Sequence, residues 1–115
     1  MAEEIESVTA EKAFDRAMLG VYERARDEAG YIATRFIQMV AERGGLDAAR
    51  QLLRASGVSD GFTALWEKGR LDLSVEFQVL QPQFSGLFTQ EERELALRRL
   101  RDYRFDVETR LEEIG

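Results

Sequence analysis

The sequence contains no cysteine and no histidine. Without cysteine the chain has no disulfide, no thiolate nucleophile and no cysteine-ligated zinc. Without histidine it lacks the commonest general base near neutral pH and the commonest ligand of transition metals. Any catalysis would have to rest on carboxylates, arginine, lysine, tyrosine, serine or threonine. We therefore expect a protein that is not an enzyme and that has no catalytic residues, no cofactor and no metal site.

Long apolar runs are also absent. No stretch approaches the roughly 18 apolar residues that a membrane span requires, so we expect no membrane association. The first residues, MAEEIES, are acidic and lack the apolar core of a secretory signal, which predicts a cytoplasmic location. The 115 residues are 44% apolar and 33% charged, which is typical of one globular domain. We predict a single helical domain over 1–115, with residues 1–8 flexible.

Positive charge is in short supply. The chain has 16 Lys and Arg against 22 Asp and Glu, and its net charge is −6. A chain of this charge is repelled by nucleic acid and by anionic membrane surfaces. Binding to nucleic acid is therefore disfavoured, although a local basic patch can override the net charge.

Apolar residues recur at steps of three and four over residues 14–40, which is the period of an α-helix. Thr9 precedes them and is a suitable N-cap. Gly30 interrupts the stripe, and a glycine inside a helix costs about 1 kcal/mol relative to alanine without forbidding the helix. We predict one long helix over about 10–43, bent at Gly30. The alternative is two helices that meet at Gly30.

Shorter helices follow the long one. Asp60 and Asp72 are each placed to cap the start of a short helix. After the only proline, the segment 82–88 carries Phe84, Leu87 and Phe88. These three residues are too apolar for a solvated loop, so we expect them to fill the core.

The clearest local signal is the pair Thr89 and Glu92, which matches the S/T-x-x-E capping box. It predicts a helix from residue 90 to about 103, and Asp106 is placed to begin a last short helix. Strand signals are weak, because no sustained alternation and no hairpin turn is present. We therefore predict an all-α fold, a compact bundle of five to six helices built around the long N-terminal helix.

Four charged residues lie close together in the sequence: Glu67, Arg70, Asp72 and Glu76. Asp72 and Glu76 are four residues apart and would share one face of a helix, where two carboxylates could hold Mg²⁺ or act as an acid–base pair. A hard cation usually needs more oxygen ligands than these. We favour a structural junction in which arginine pairs with a carboxylate.

A second group of charges is the arginine-rich helix over 93–104. Arg98, Arg99, Arg101 and Arg104 could contact nucleic acid, with Tyr103 stacking on a base. A simpler interpretation is that acidic residues begin this helix and arginines end it, as the helix dipole favours. Nucleic-acid contact is therefore the alternative.

The long helix has more apolar residues than one buried stripe requires. Tyr31, Ile37 and Met39 lie off its main stripe, and Trp66 adds a large apolar side chain elsewhere. Either other helices cover these residues, or they meet a second copy or a partner. We predict them as candidate partner-binding residues.

Three segments carry a family resemblance: GYIATRFIQMVAERGGLDAARQLL, GFTALWEKGRLDLSVE and FSGLFTQEERELALRRL. Together they resemble a small uncharacterised all-helical bacterial domain family, over roughly residues 14–105. The resemblance implies a cytoplasmic helical module and brings no catalytic residues.

These observations predict a non-enzymatic helical module for protein interaction or oligomerisation, with a protein partner or self-association. The alternative is a nucleic-acid-associated accessory or regulatory factor that uses the arginine-rich helix 93–104.

Overall fold

The computed structural model describes the backbone of residues 2–114 and the side chains of residues 8–114. It contains seven α-helices: α1 (Ala2–Ala29), α2 (Thr34–Arg43), α3 (Gly45–Arg54), α4 (Asp60–Glu67), α5 (Val75–Val79), α6 (Gln90–Asp102) and α7 (Val107–Ile114). Two 3₁₀ turns, Leu71–Leu73 and Pro82–Leu87, flank α5. No strand occurs within residues 2–114, which confirms the all-α prediction. None of the helices in this part of the chain is long and apolar enough to cross a membrane.

The long N-terminal helix α1 spans the length of the molecule. Its 28 residues correspond to about 42 Å at 1.5 Å per residue, and the longest dimension of the molecule is 44 Å. Phe14, Met18, Val21 and Ala25 are buried at the helical spacing that the sequence shows. The bundle is therefore built around this helix, as predicted.

Gly30 ends α1. Its φ of 67° lies in the left-handed region, and the N–H of Tyr31 donates to the carbonyl of Ala25 at 3.0 Å, which closes the helix end. The chain then turns, and α2 begins at Thr34. The prediction of one long helix over 10–43 is therefore wrong, and the alternative of two helices that meet at Gly30 is confirmed. Because of this division, the described chain has seven α-helices, whereas five or six were predicted.

The other end of α1 also differs from the prediction. The helix begins at Ala2, so Thr9 lies inside it and is not its N-cap. The residues before Thr9 are mostly good helix formers. The predicted flexibility of residues 1–8 falls on Met1 and on side chains before Val8, which lie outside the described residues.

Aromatic packing joins α1 to the second 3₁₀ turn. Phe14 meets Phe84 edge-on, with ring centroids 5.0 Å apart, and Phe88 at 5.2 Å. Phe84, Leu87 and Phe88 are all buried. The prediction that this segment fills the core is confirmed, and the segment does so as a 3₁₀ turn rather than as a loop.

Serine caps the two short helices for which aspartate was predicted. The hydroxyls of Ser59 and Ser74 each accept the N–H of the third residue after them, at 3.1 and 3.2 Å. Asp60 lies one residue inside α4, where its carboxylate faces the helix dipole. Asp72 lies in the first 3₁₀ turn, so both predicted caps are wrong.

Two other caps are as predicted. The hydroxyl of Thr89 accepts the N–H of Glu92 at 3.1 Å, and the carboxylate of Glu92 accepts the N–H of Thr89 at 2.8 Å. Asp106 accepts the N–H of Thr109 at 3.2 Å and starts α7. The capping box therefore sets the start of α6.

We expect Gly30→Ala to lower the free energy of unfolding by about 1–2 kcal/mol, because an L-residue is disfavoured in the left-handed conformation. The matched control is Gly20→Ala inside α1, where a Cβ meets no atom within 4 Å. It should raise the free energy of unfolding by about 0.5–1 kcal/mol. Urea denaturation followed by circular dichroism measures both changes. If both variants were stabilised, α1 and α2 would be one continuous helix.

Candidate functional site

A concave surface that involves two of the predicted partner-binding residues lies between α2 and the start of α4. We call it the α2–α4 groove. One side is formed by Tyr31, Ile32 and helix α2, and the other by residues 59–61, with Leu52 of α3 also in its lining. The groove encloses about 440 Å³, which lies within the range of about 300–1,000 Å³ that is usual for binding sites.

Helix α2 is the element that creates this groove. It packs against α3 and α1, yet none of its residues is fully buried. Phe36 and Val40 touch the core and remain partly exposed. An amphipathic helix normally buries its apolar face, so α2 keeps apolar surface available on its groove side.

The opposite wall of the groove comes close to Tyr31 at Gly61. A Cβ placed at Gly61 would lie 3.5 Å from the hydroxyl oxygen of Tyr31, which is van der Waals contact. The Tyr31 ring therefore stands next to the first turn of α4. Tyr31 and Gly61 therefore mark the inner end of the groove.

A small apolar cavity of about 50 Å³ continues from the groove into the core. Tyr31, Phe36 and Gly61 line both spaces, and Ser74 and Glu76 border the inner end of the cavity. The Ser74 hydroxyl already donates to a carbonyl at 2.7 Å and accepts an N–H in its capping role. A cavity of this size holds about one or two water molecules, so any larger ligand must bind in the outer groove.

The four predicted partner-binding residues do not form one surface. Tyr31 and Met39 line the α2–α4 groove. Ile37 is half-buried on α2 and does not line the groove. Trp66 is 47% exposed, and its ring packs edge-on against Tyr103 with centroids 5.3 Å apart. The structure therefore brings together two of the four.

The sequence analysis missed Ile32. It is 61% exposed, the highest value among the large apolar residues that the structure describes, and it lies at the groove. The apolar spacing places it on the buried stripe of a continuous helix. Because the chain turns at Gly30, the helical spacing of α1 does not continue to residue 32, and Ile32 faces solvent. The alternative of two helices that meet at Gly30 would have removed Ile32 from the buried stripe.

Two of the four predicted junction residues form an ion pair at the first 3₁₀ turn. Arg70 binds Asp72 through two hydrogen bonds, at 3.0 and 3.1 Å, and donates to Glu28 of α1 at 2.8 Å. Hydrogen bonds from Arg24 and then Arg70 lower the pKa of Glu28. This cluster fastens the turn to α1. Glu67 is exposed and lies outside it.

Glu76 pairs elsewhere, with Arg99 of α6 at 3.3 Å. The exposed fractions of these two side chains are 4% and 11%, and burial raises the pKa of Glu76 although Arg99 partly offsets it. Glu76 and Asp72 therefore have different partners. Among the described side chains, no group of three carboxylates is placed to hold a metal ion.

Arg99 also binds the end of α3. Its guanidinium donates to the carbonyls of Leu52, Leu53 and Ala55, at 3.0, 3.1 and 2.8 Å. The last turn of a helix leaves such carbonyls short of intrahelical donors. Arg99 therefore joins α3, α5 and α6 and is not available to a nucleic acid.

The other three predicted nucleic-acid contacts are exposed. Arg101 forms an ion pair with Glu108, and Arg98 is exposed. Arg104 is exposed and has a φ of 62° at the end of α6. Nucleic-acid binding by this helix stays a prediction. Three of its four predicted arginines are at the surface, and Arg99 is not.

The chain matches no protein family model, no curated protein and no solved structure. The resemblance of the three sequence segments to a bacterial helical family therefore stays an expectation. The function has to be argued from the α2–α4 groove and its residues.

We expect Arg99→Met to lower the free energy of unfolding at neutral pH by about 3–5 kcal/mol, because it leaves Glu76 buried without its cation. Loss of Arg99 also raises the pKa of Glu76 further above its unfolded value. The folded variant then gains a proton that the unfolded chain lacks as the pH falls through this pKa. The stability loss should therefore be smaller at about pH 5 than at neutral pH.

The matched control is Arg98→Met, which removes an exposed arginine from the same helix and should change the free energy of unfolding by less than about 0.5 kcal/mol. Urea denaturation at both pH values measures the two variants. Equal stability losses at the two positions would contradict the role of Arg99.

Proposed function

We propose that this chain is a non-enzymatic protein-interaction module and that the α2–α4 groove is its binding surface. The observation that carries the proposal is that α2 is a strongly amphipathic helix with no buried residue. Its groove side presents Phe36 and Met39 next to the first turn of α4, and Ile32 lies in the turn that precedes α2. The setting proposed from the sequence is the cytoplasm.

Apolar contact supplies the binding energy in this proposal. Burial of apolar surface contributes roughly 25 cal/mol per Å², and Ile32 has most of its side chain still to bury. An amphipathic helix of a partner fits such a groove, because its residues at three- and four-residue spacing can occupy successive positions along it. Arg35 and Asp60 lie at the groove edges and can orient the partner.

The polar groups near the groove support binding rather than catalysis. The Ser59 hydroxyl accepts the N–H of Phe62 at 3.1 Å, and Glu76 is paired with Arg99. A nucleophile needs an adjacent base to activate it. Tyr31, Thr34, Ser59 and Ser74 carry hydroxyls that line the groove and its inner cavity, and none of these hydroxyls hydrogen-bonds to an ionisable side chain among the described residues.

We expect Ile32→Glu to weaken binding of a protein partner about 30-fold or more, since a central interface residue contributes roughly 2 kcal/mol or more. Leu19→Glu is the matched control, because Leu19 is 47% exposed on α1 and does not line the groove. The two variants and the wild-type chain are immobilised and compared as baits in a cytoplasmic extract, with captured proteins quantified by mass spectrometry. A second tagged copy of the chain is included among the candidates.

The expected result is a protein captured by the wild-type chain and by Leu19→Glu, and lost from Ile32→Glu. Equal capture by all three baits would exclude the groove as the binding surface. The absence of any captured protein, including a second copy of this chain, would contradict the proposed function.

A further inference from the structure

We infer that the α2–α4 groove is occupied by a second copy of this chain, with α2 of each copy seated in the groove of the other around a two-fold axis. This inference rests on the proposed function and names the partner. It is carried by the charges on the two edges of the groove and by the double role of α2.

The charges are complementary across a two-fold axis. Arg35 on α2 and Asp60 at the start of α4 lie on opposite sides of one groove, and both are exposed. Neither forms an ion pair with any side chain of residues 8–114. A two-fold rotation about the groove brings Arg35 of each copy to Asp60 of the partner subunit, so one interface forms the pair twice.

Helix α2 supplies both the groove wall and the part that would fill the groove. In a two-fold interface the same patch serves both copies, so it must be complementary to itself. Phe36 and Met39 line the wall, while Ile32 projects from the turn before α2. The two-fold arrangement that pairs Arg35 with Asp60 places each Ile32 beside the apolar wall of the partner subunit.

The size of the patch predicts a weak dimer. The ten residues of α2 are about 15 Å long, so the buried area falls near or below the roughly 1,200 Å² at the low end of stable interfaces. An interface of this size corresponds to a dissociation constant in the micromolar range, about 1–100 µM. The chain should therefore exchange between monomer and dimer at accessible concentrations.

Sedimentation velocity from about 1 to about 300 µM, a range that brackets the expected dissociation constant, tests the inference with Arg35→Glu and Asp60→Arg. In each variant alone, both edge pairs become like charges, and dimerisation should weaken about tenfold or more. In an equimolar mixture, the heterodimer restores attraction at both pairs. One edge then joins the two introduced side chains, a glutamate and an arginine, and the other edge joins the native Arg35 and Asp60. The mixture should therefore associate with an affinity close to that of the wild-type chain.

Arg98→Glu is the control for an equal change of charge at a site away from the groove, and it should dimerise as the wild-type chain does. Far-UV circular dichroism verifies that each variant is folded before it is compared. A wild-type chain that stays monomeric over the whole range overturns the inference. So does a mixture that associates no better than its components.

The failure of this inference is distinct from the failure of the proposed function. If the wild-type chain is monomeric and the Ile32→Glu bait still loses a captured protein, the groove binds a different protein. If the wild-type chain dimerises and the mixture does not restore association, the dimer uses another surface.

Discussion

The left-handed backbone of Gly30 is the constraint on which the rest of the structure depends. The apolar spacing on its two sides would allow one helix, and an alanine at this position would favour it. With φ at 67° the chain turns instead. Helix α2 therefore packs beside α1 and α3 and does not continue the axis of α1. That turn exposes Ile32 and places α2 opposite the start of α4. The α2–α4 groove therefore follows from the conformation of one glycine.

The part of the groove lining that α3 supplies depends on a buried ion pair. Arg99 holds the carbonyl of Leu52, a residue of the groove lining, and it also holds the carbonyl of Ala55, where the chain leaves α3. Its partner Glu76 borders the inner cavity. A buried ion pair adds little net stability compared with apolar packing, but removing one partner is costly. Arg99 and Glu76 thus fix the position of α3 relative to α5 and α6.

Local patterns in the sequence predicted much of the fold. They predicted little of the site, because the site depends on contacts between residues that are far apart in the sequence. The capping box of Thr89 and Glu92 and the apolar stripe of α1 involve residues within one turn of each other, so spacing alone identifies them. The pairing of Arg99 with Glu76 joins residues from two helices, and no local pattern indicates it. Ile32 was assigned to the core because periodicity assumes a continuous helix. The sequence could not show that Gly30 adopts a left-handed φ, since glycine is compatible with both conformations.

The weak anchoring of α2 links binding to stability. Because none of its residues is fully buried, α2 has fewer apolar contacts to lose than α1 does, and elements with few buried contacts open at lower cost than the core. A partner that covers Ile32 and the groove side of α2 binds only the state in which α2 is docked. Such a partner stabilises that state in proportion to the logarithm of its concentration relative to its dissociation constant. In the proposed function, occupancy of the groove and the docking of α2 are therefore one coupled equilibrium, and the apolar surface that α2 leaves exposed is what couples them.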